Sequence, residues 1–267
     1  MSLAMKTKYF GSLCAGYALL VLAVAPQVNA QQTAKPPVNL SGVWSKSGGA
    51  GGGGPDGLHA THPSEWSTEM LPFTPKGLAM YQANKPNRGP HWAPPEQEND
   101  PMHGANPPGL YRAIIYGTPF ELVQLPGKVI QMFGWTRVWR AMYTDGRPVP
   151  VDDPAGPYWY GYTVGKWEGD TLVVTTLALD ERAWLDDWGT PISAGARIEE
   201  RWQRVAPEKL QLTITVTDPI TYSKPWTSSP VTFTLKHGVD PKEVIFAPMD
   251  EQSFNEQLRV PAATKPK

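Results

Sequence analysis

Cysteine is all but missing from this sequence. The single one, Cys14, falls in an apolar run from Leu13 to Ala25 that follows Lys6 and Lys8 and precedes Val28-Asn29-Ala30. A basic start, an apolar centre and small residues where a signal peptidase reads form a secretory leader. Residues 1–30 are therefore expected to be removed, with the mature chain beginning near Gln31. The run is short of the roughly 20 residues that a membrane span requires. No stable membrane insertion is expected after cleavage. Loss of Cys14 would exclude disulfides and thiol chemistry, although the expected destination, the periplasm or the medium, is oxidising.

Excess charge of one sign is also lacking. Removing Lys6 and Lys8 from 24 basic residues leaves 22 against 25 acidic ones, a net charge of −3. That balance carries no footprint for nucleic acid and no polybasic patch for a membrane surface. No nucleophile elbow, phosphate loop or dinucleotide fingerprint occurs, and no cofactor is expected. His59-x-x-His62, with His91 and His103 further along, matches no metal-binding spacing, so no metal site is assigned and the role of these histidines stays open.

What remains is one domain rich in turn residues and aromatics. A chain of 267 residues less a 30-residue leader leaves about 237, enough to bury a core without covalent staples. Residues 31–108 are rich in Pro and Gly, with a flexible insert at Gly48 to Gly57. A first strand is expected at Leu40 to Lys46. Thr74-Pro75 supplies an N-cap followed by Pro at N1, which predicts a helix to about Asn84.

Residues 109–267 read as strands. FELVQL and KVIQMF, Phe120 to Phe133, flank Pro126-Gly127, a type II turn pair. Thr136 to Tyr143 ends at Asp145-Gly146. Gly161 to Thr176 pivots on Glu168-Gly169, where Gly supplies the positive φ of a tight hairpin and Trp167 and Asp170 serve the turn. Ala196 to Val205 and Lys209 to Asp218 form a third hairpin around Pro207. VTFTLKHG and KEVIFAP add two short strands. Some ten strands in sequential hairpins predict a mainly β fold, an antiparallel meander closed into a barrel, since closure removes exposed edges.

Hairpin register assigns faces. It places Glu121 with Val123, Ile130 and Met132, Arg140 with Val138 and Met142, and Asp218 at the end of the apolar set Leu210, Leu212, Ile214, Val216. Glu200 falls with Ile198 and Trp202, although a one-residue change in loop length would turn Arg201 inward instead. Four charged residues on apolar faces imply either an internal salt-bridge network or polar groups converging on a ligand. In the second case Glu121 or Glu200 would be an acid/base and Arg140 would hold a developing anion. Tyr143, Tyr160, Trp184, Tyr222 and Trp226 fall near strand ends, where rings could stack on a ligand or simply pack beneath loops.

The segments LSGVW, FTPKGLAMYQANKP, PPGLYR, WRAMYTDGR, GYTVGKWEGDTLVV, WLDDWGTP and DPITYSKPW, in that order, resemble an uncharacterised family of exported bacterial proteins centred on a GxWEGDTLVV block. The resemblance implies a common fold and carries over no catalytic residue. Gly42-Val43-Trp44 also resembles the G-x-W opening of lipocalins, which implies a lipocalin-like (calycin) barrel. Such barrels include carriers and cofactor-free enzymes, and fold analogy alone does not choose between them. The expectations are a small apolar or aromatic ligand, handled by a cofactor-independent lyase or isomerase, by a non-catalytic carrier, or by a carbohydrate- or envelope-binding module.

Overall fold

The computed structural model describes residues 38–47, 60–94, 96–104, 106–135, 137–149 and 156–242, with 256 and 260. The leader with Cys14, the Gly-rich insert, His59 and the strand expected after Lys242 lie outside the described residues. No helix among the described residues is long and apolar enough to cross a membrane.

The first strand, β1 (Gly42–Lys46), is followed by α1 (Pro75–Ala83). The side chain of Thr74 accepts the Gly77 amide at 2.9 Å, with Pro75 in the first turn, so the sequence signals for this helix act as expected. A second helix, α2 (Leu110–Ile115), corrects the expectation of strand after Gly109. All six of its residues are buried. A short run that is apolar on every side has no periodicity to separate helix from strand.

The remaining strands are β2 (Phe120–Leu125), β3 (Lys128–Phe133), β4 (Trp139–Tyr143), β5 (Tyr162–Glu168), β6 (Thr171–Leu177), β7 (Arg197–Ala206), β8 (Lys209–Thr217), β9 (Trp226–Thr227) and β10 (Val231–Lys236). Pro126-Gly127 joins β2 to β3 with Gly127 at φ 74°. The β5–β6 turn is Gly169-Asp170, one residue later than expected, because Glu168 pairs with Thr171. Gly169 takes the positive φ of 58°. Around it Glu168 bridges Lys166 at 2.7 Å and Arg201 at 3.0 Å, while Trp167 packs against the core.

The strands close on themselves. β1 to β8 are neighbours in chain order, and β10 pairs with both β1 and the start of β8, giving a closed nine-strand barrel. β9 pairs with the last residues of β8. The barrel is mixed rather than wholly antiparallel, since β4 and β5 run parallel through Tyr143 and Val164. Residues 144–161 connect them, long enough for the crossover that parallel strands need. Asp145-Gly146 does turn the chain, but without forming a hairpin: the Thr144 amide bonds back to the Gly127 carbonyl at 2.7 Å.

The interior is filled by aromatics. Phe120, Trp202 and Phe233 meet with ring centroids 5.1 to 5.9 Å apart, and Trp44 is fully buried with its indole N–H on the Leu40 carbonyl. This packing decides the face of the β2–β3 hairpin. Its expected pairs are present, Val123 with Ile130 and Glu121 with Met132, but the face holding them is the outer one. Both faces carry apolar residues together with polar ones, Glu121 and Lys128 on the outer face and Gln124 and Gln131 on the inner. The larger rings of Phe120 and Phe133 take the interior, with Leu122, Val129 and Gln131.

Candidate functional site

Arg140 and Glu200 meet inside the barrel. Arg140 lies beside Gln131 on β4 and β3, and Glu200 faces inward with Ile198 and Trp202 on β7. The guanidinium donates through both terminal nitrogens to the two carboxylate oxygens at 2.6 Å, and through Nε to Gln131 Oε1 at 2.8 Å. Glu200 also accepts from Tyr111 and Thr176 at 2.9 Å and from Trp202 Nε1 at 2.8 Å. Burial alone would raise the Glu200 carboxyl. The Arg140 charge and the donors from Arg140, Trp202 and Thr176 outweigh it and hold the group below its ordinary value. Burial and the Glu200 charge push the Tyr111 phenol well above its ordinary range. Glu121, expected like Arg140 on an inward face, does not share this interior, and the partner of Arg140 is Glu200.

The other residues singled out by sequence are spread over the molecule. Asp218 is buried and caps the turn after β8, accepting from the Ser193 amide and hydroxyl at 2.7 Å and from the Ile220 amide at 3.2 Å. Tyr222 donates to the Pro191 carbonyl at 2.8 Å and meets Trp226 edge to face. Tyr143 stacks on Tyr162 beneath the Arg147 guanidinium. Tyr160 packs on Phe133. Trp184 is buried, with Arg112 over its ring at 6.0 Å. Among the described residues, no ring contact joins Tyr143, Trp184 and Tyr222 into one platform. His62 bonds to the Ser64 carbonyl at 2.9 Å and tilts against Trp188, while His91 packs on Tyr81. No group of three or more metal-ligating side chains occurs among the described residues.

Two clusters escape sequence reasoning. Arg112 on α2 forks onto Asp100 at 2.8 and 2.7 Å and also bonds Asp187, which Arg88 reaches at 3.2 Å. Beside it, buried Asp186 accepts from Ser64 Oγ at 2.6 Å, the Glu65 amide at 2.9 Å and Thr190 Oγ1 at 2.7 Å. Glu65, half-buried, is pushed up to about 7 by burial and then by the charges of Asp186 and Asp187. Apart from Asp186 and Thr190, the groups that meet here are far apart in the chain, so no local pattern announces the clusters.

Glu65 leads to a pH expectation. Its folded-state proton is held more tightly than in the unfolded chain, and burial likewise raises Asp186. The folded form therefore binds more protons, and stability falls as pH rises from the unfolded value of 4.5 through about 7. Glu65→Gln should flatten that fall. Urea melts of both proteins at the two ends of the window test this; an equally steep fall in the variant refutes it.

Glu121 lines a groove on the outer barrel face. Register places Glu121, Met132 and Trp139 in one row across β2, β3 and β4. With Arg137, Val138 and Pro241 they line an open groove of about 350 Å³, at the lower end of the range of small-molecule pockets. Gly134 lets the wall form: a Cβ there would sit 2.3 Å from the Lys242 carbonyl oxygen, so only a glycine admits the chain beside Pro241. Trp139 is 63% exposed although it is the largest apolar side chain in the row.

Comparison with family models, curated proteins and solved structures gives no match.

Proposed function

We propose that this protein is an exported small-molecule-binding β-barrel, a carrier that holds an apolar or aromatic ligand in the outer groove beside Glu121 and Trp139. The observation that supports this is the groove itself: a concave apolar wall with a carboxylate and an indole left accessible in it. The Arg140–Glu200 pair is assigned a structural role, because each group spends its hydrogen-bonding capacity on the other and on buried neighbours. Export rests on the leader sequence, and lipocalin kinship on the G-x-W opening and the closed barrel.

A second reading, a cofactor-independent lyase or isomerase, is favoured by Glu65. A carboxyl poised at about 7 can exchange protons at neutral pH.

The carrier reading is tested with N-phenyl-1-naphthylamine, an uncharged aromatic probe that brightens in apolar sites. It should bind the full chain, and Trp139→Ala should weaken binding by about tenfold, or 1.4 kcal/mol, with the melting temperature little changed. Undiminished binding to a folded Trp139→Ala variant overturns the assignment.

A further inference from the structure

We propose that the groove selects organic cations: an amine or quaternary ammonium carried on an apolar or aromatic body. This rests on the reading of the groove as the ligand site and adds the charge of its occupant.

Among the described residues, Glu121 is the acidic side chain of the groove wall. It is half-buried, and no hydrogen bond or ion pair of its side chain exists among the described residues. Its register neighbours on either side, Val43 on β1 and Met132 on β3, offer no positive charge. Lys236 lies one strand further, across Val43, is exposed, and makes no ion pair with it. A half-buried carboxylate on an apolar wall, with no ion-pair partner among the described residues, leaves its oxygens open to a bound cation.

Trp139 supplies the second half of the recognition. Indole is the strongest of the aromatic faces toward a cation, and this one is largely exposed in the same row as the carboxylate. Met132 and Val138 leave an apolar floor for the ligand's body, with the polarizable thioether suited to rings. Among the described residues, Arg137 is the one positively charged side chain of the wall, and it has an interaction of its own. If its charge governed the groove instead, the preferred ligand would be an anion, which the test separates.

The experiment is displacement of N-phenyl-1-naphthylamine from the full chain by 2-phenylethylamine, 2-phenylethanol and 3-phenylpropionate at neutral pH. These share a ring and chain and differ in charge. The amine should compete at about tenfold lower concentration than the alcohol, and the carboxylate should compete worst. Glu121→Gln, with its fold checked by circular dichroism, should bring amine and alcohol within about twofold of each other, chiefly by weakening the amine. Equal or better competition by the alcohol or the carboxylate overturns the cation proposal while leaving the groove as a ligand site. A preference for the amine that survives Glu121→Gln also overturns it. Probe binding that ignores Trp139→Ala removes the groove reading and this proposal together.

Discussion

Arg140→Met and Glu200→Leu should each destabilise the protein by ~3–5 kcal/mol, whereas the double variant should lose clearly less than the sum. Each single change strands a partner in a site almost without water: Arg140 is 4% exposed and Glu200 fully buried. Arg140→Met leaves Glu200 with the donors of Tyr111, Thr176 and Trp202 but no counter-charge. Glu200→Leu leaves Arg140 with Gln131 alone and orphans those three donors. The double variant removes both charges and keeps only the orphaned donors. For a chain of this size the single losses correspond to roughly 10 °C in melting temperature. The pair also sets an acid response. Because the Glu200 carboxyl is held below 4.5, its contribution is full above that value and is lost as pH falls through the folded-state value. Melting temperatures of the four proteins decide the matter, and additive losses would show that the two charges are not coupled.

The hairpins were legible because turn chemistry is local. Pro126-Gly127 fixes both the strand ends and the pairs beside them, Gly169 marks its hairpin to within one residue, and Thr74-Pro75 fixes the start of α1. Which face of a hairpin turns inward is not a local property when both faces are apolar. The pattern therefore sets Glu121 inside although it lies on the outer face, whereas Arg140 on β4 does face inward, and on β7 the open choice between Glu200 and Arg201 falls to Glu200. The Arg140–Glu200 pairing spans 60 residues of sequence and depends on barrel closure, which register within hairpins does not supply. The parallel step from β4 to β5 was hidden because Asp145-Gly146 carries the signal of a hairpin turn but serves a crossover. Asp186, Asp187, Arg112 and Glu65 had no pattern to expose them. Each sits in irregular chain or in a helix buried on all sides, and apart from the local bonds of Asp186 to Trp188 and Thr190 and of Asp100 to Met102 the partners lie 12 to 122 residues away.

Arg112→Met should have a second large effect, again ~3–5 kcal/mol, and it should spread beyond its own ion pairs. Arg112 is buried against Asp100, Asp187 and the Trp184 ring, so it ties α2 to the loop before it and to the segment after β6. Asp187 keeps Arg88 in the variant, but Asp100 loses the fork that neutralises it. Arg112→Lys should recover only part of the loss, since one ammonium cannot reproduce two parallel bonds to Asp100 and a third to Asp187. The neighbouring residue extends the effect. Tyr111 reaches from the same six-residue helix into the barrel, where its hydroxyl donates to Glu200. A helix this short, with no side-chain cap at Gly109, is held by its tertiary contacts rather than by its own propensity. Loosening Arg112 should therefore slacken the Tyr111–Glu200 bond, and Tyr111→Phe should cost less in the Arg112→Met background than in the parent. Urea denaturation of the parent, both single variants and the double variant measures that difference. Equal cost in the two backgrounds would mean that α2 transmits nothing from the loop cluster to the barrel interior.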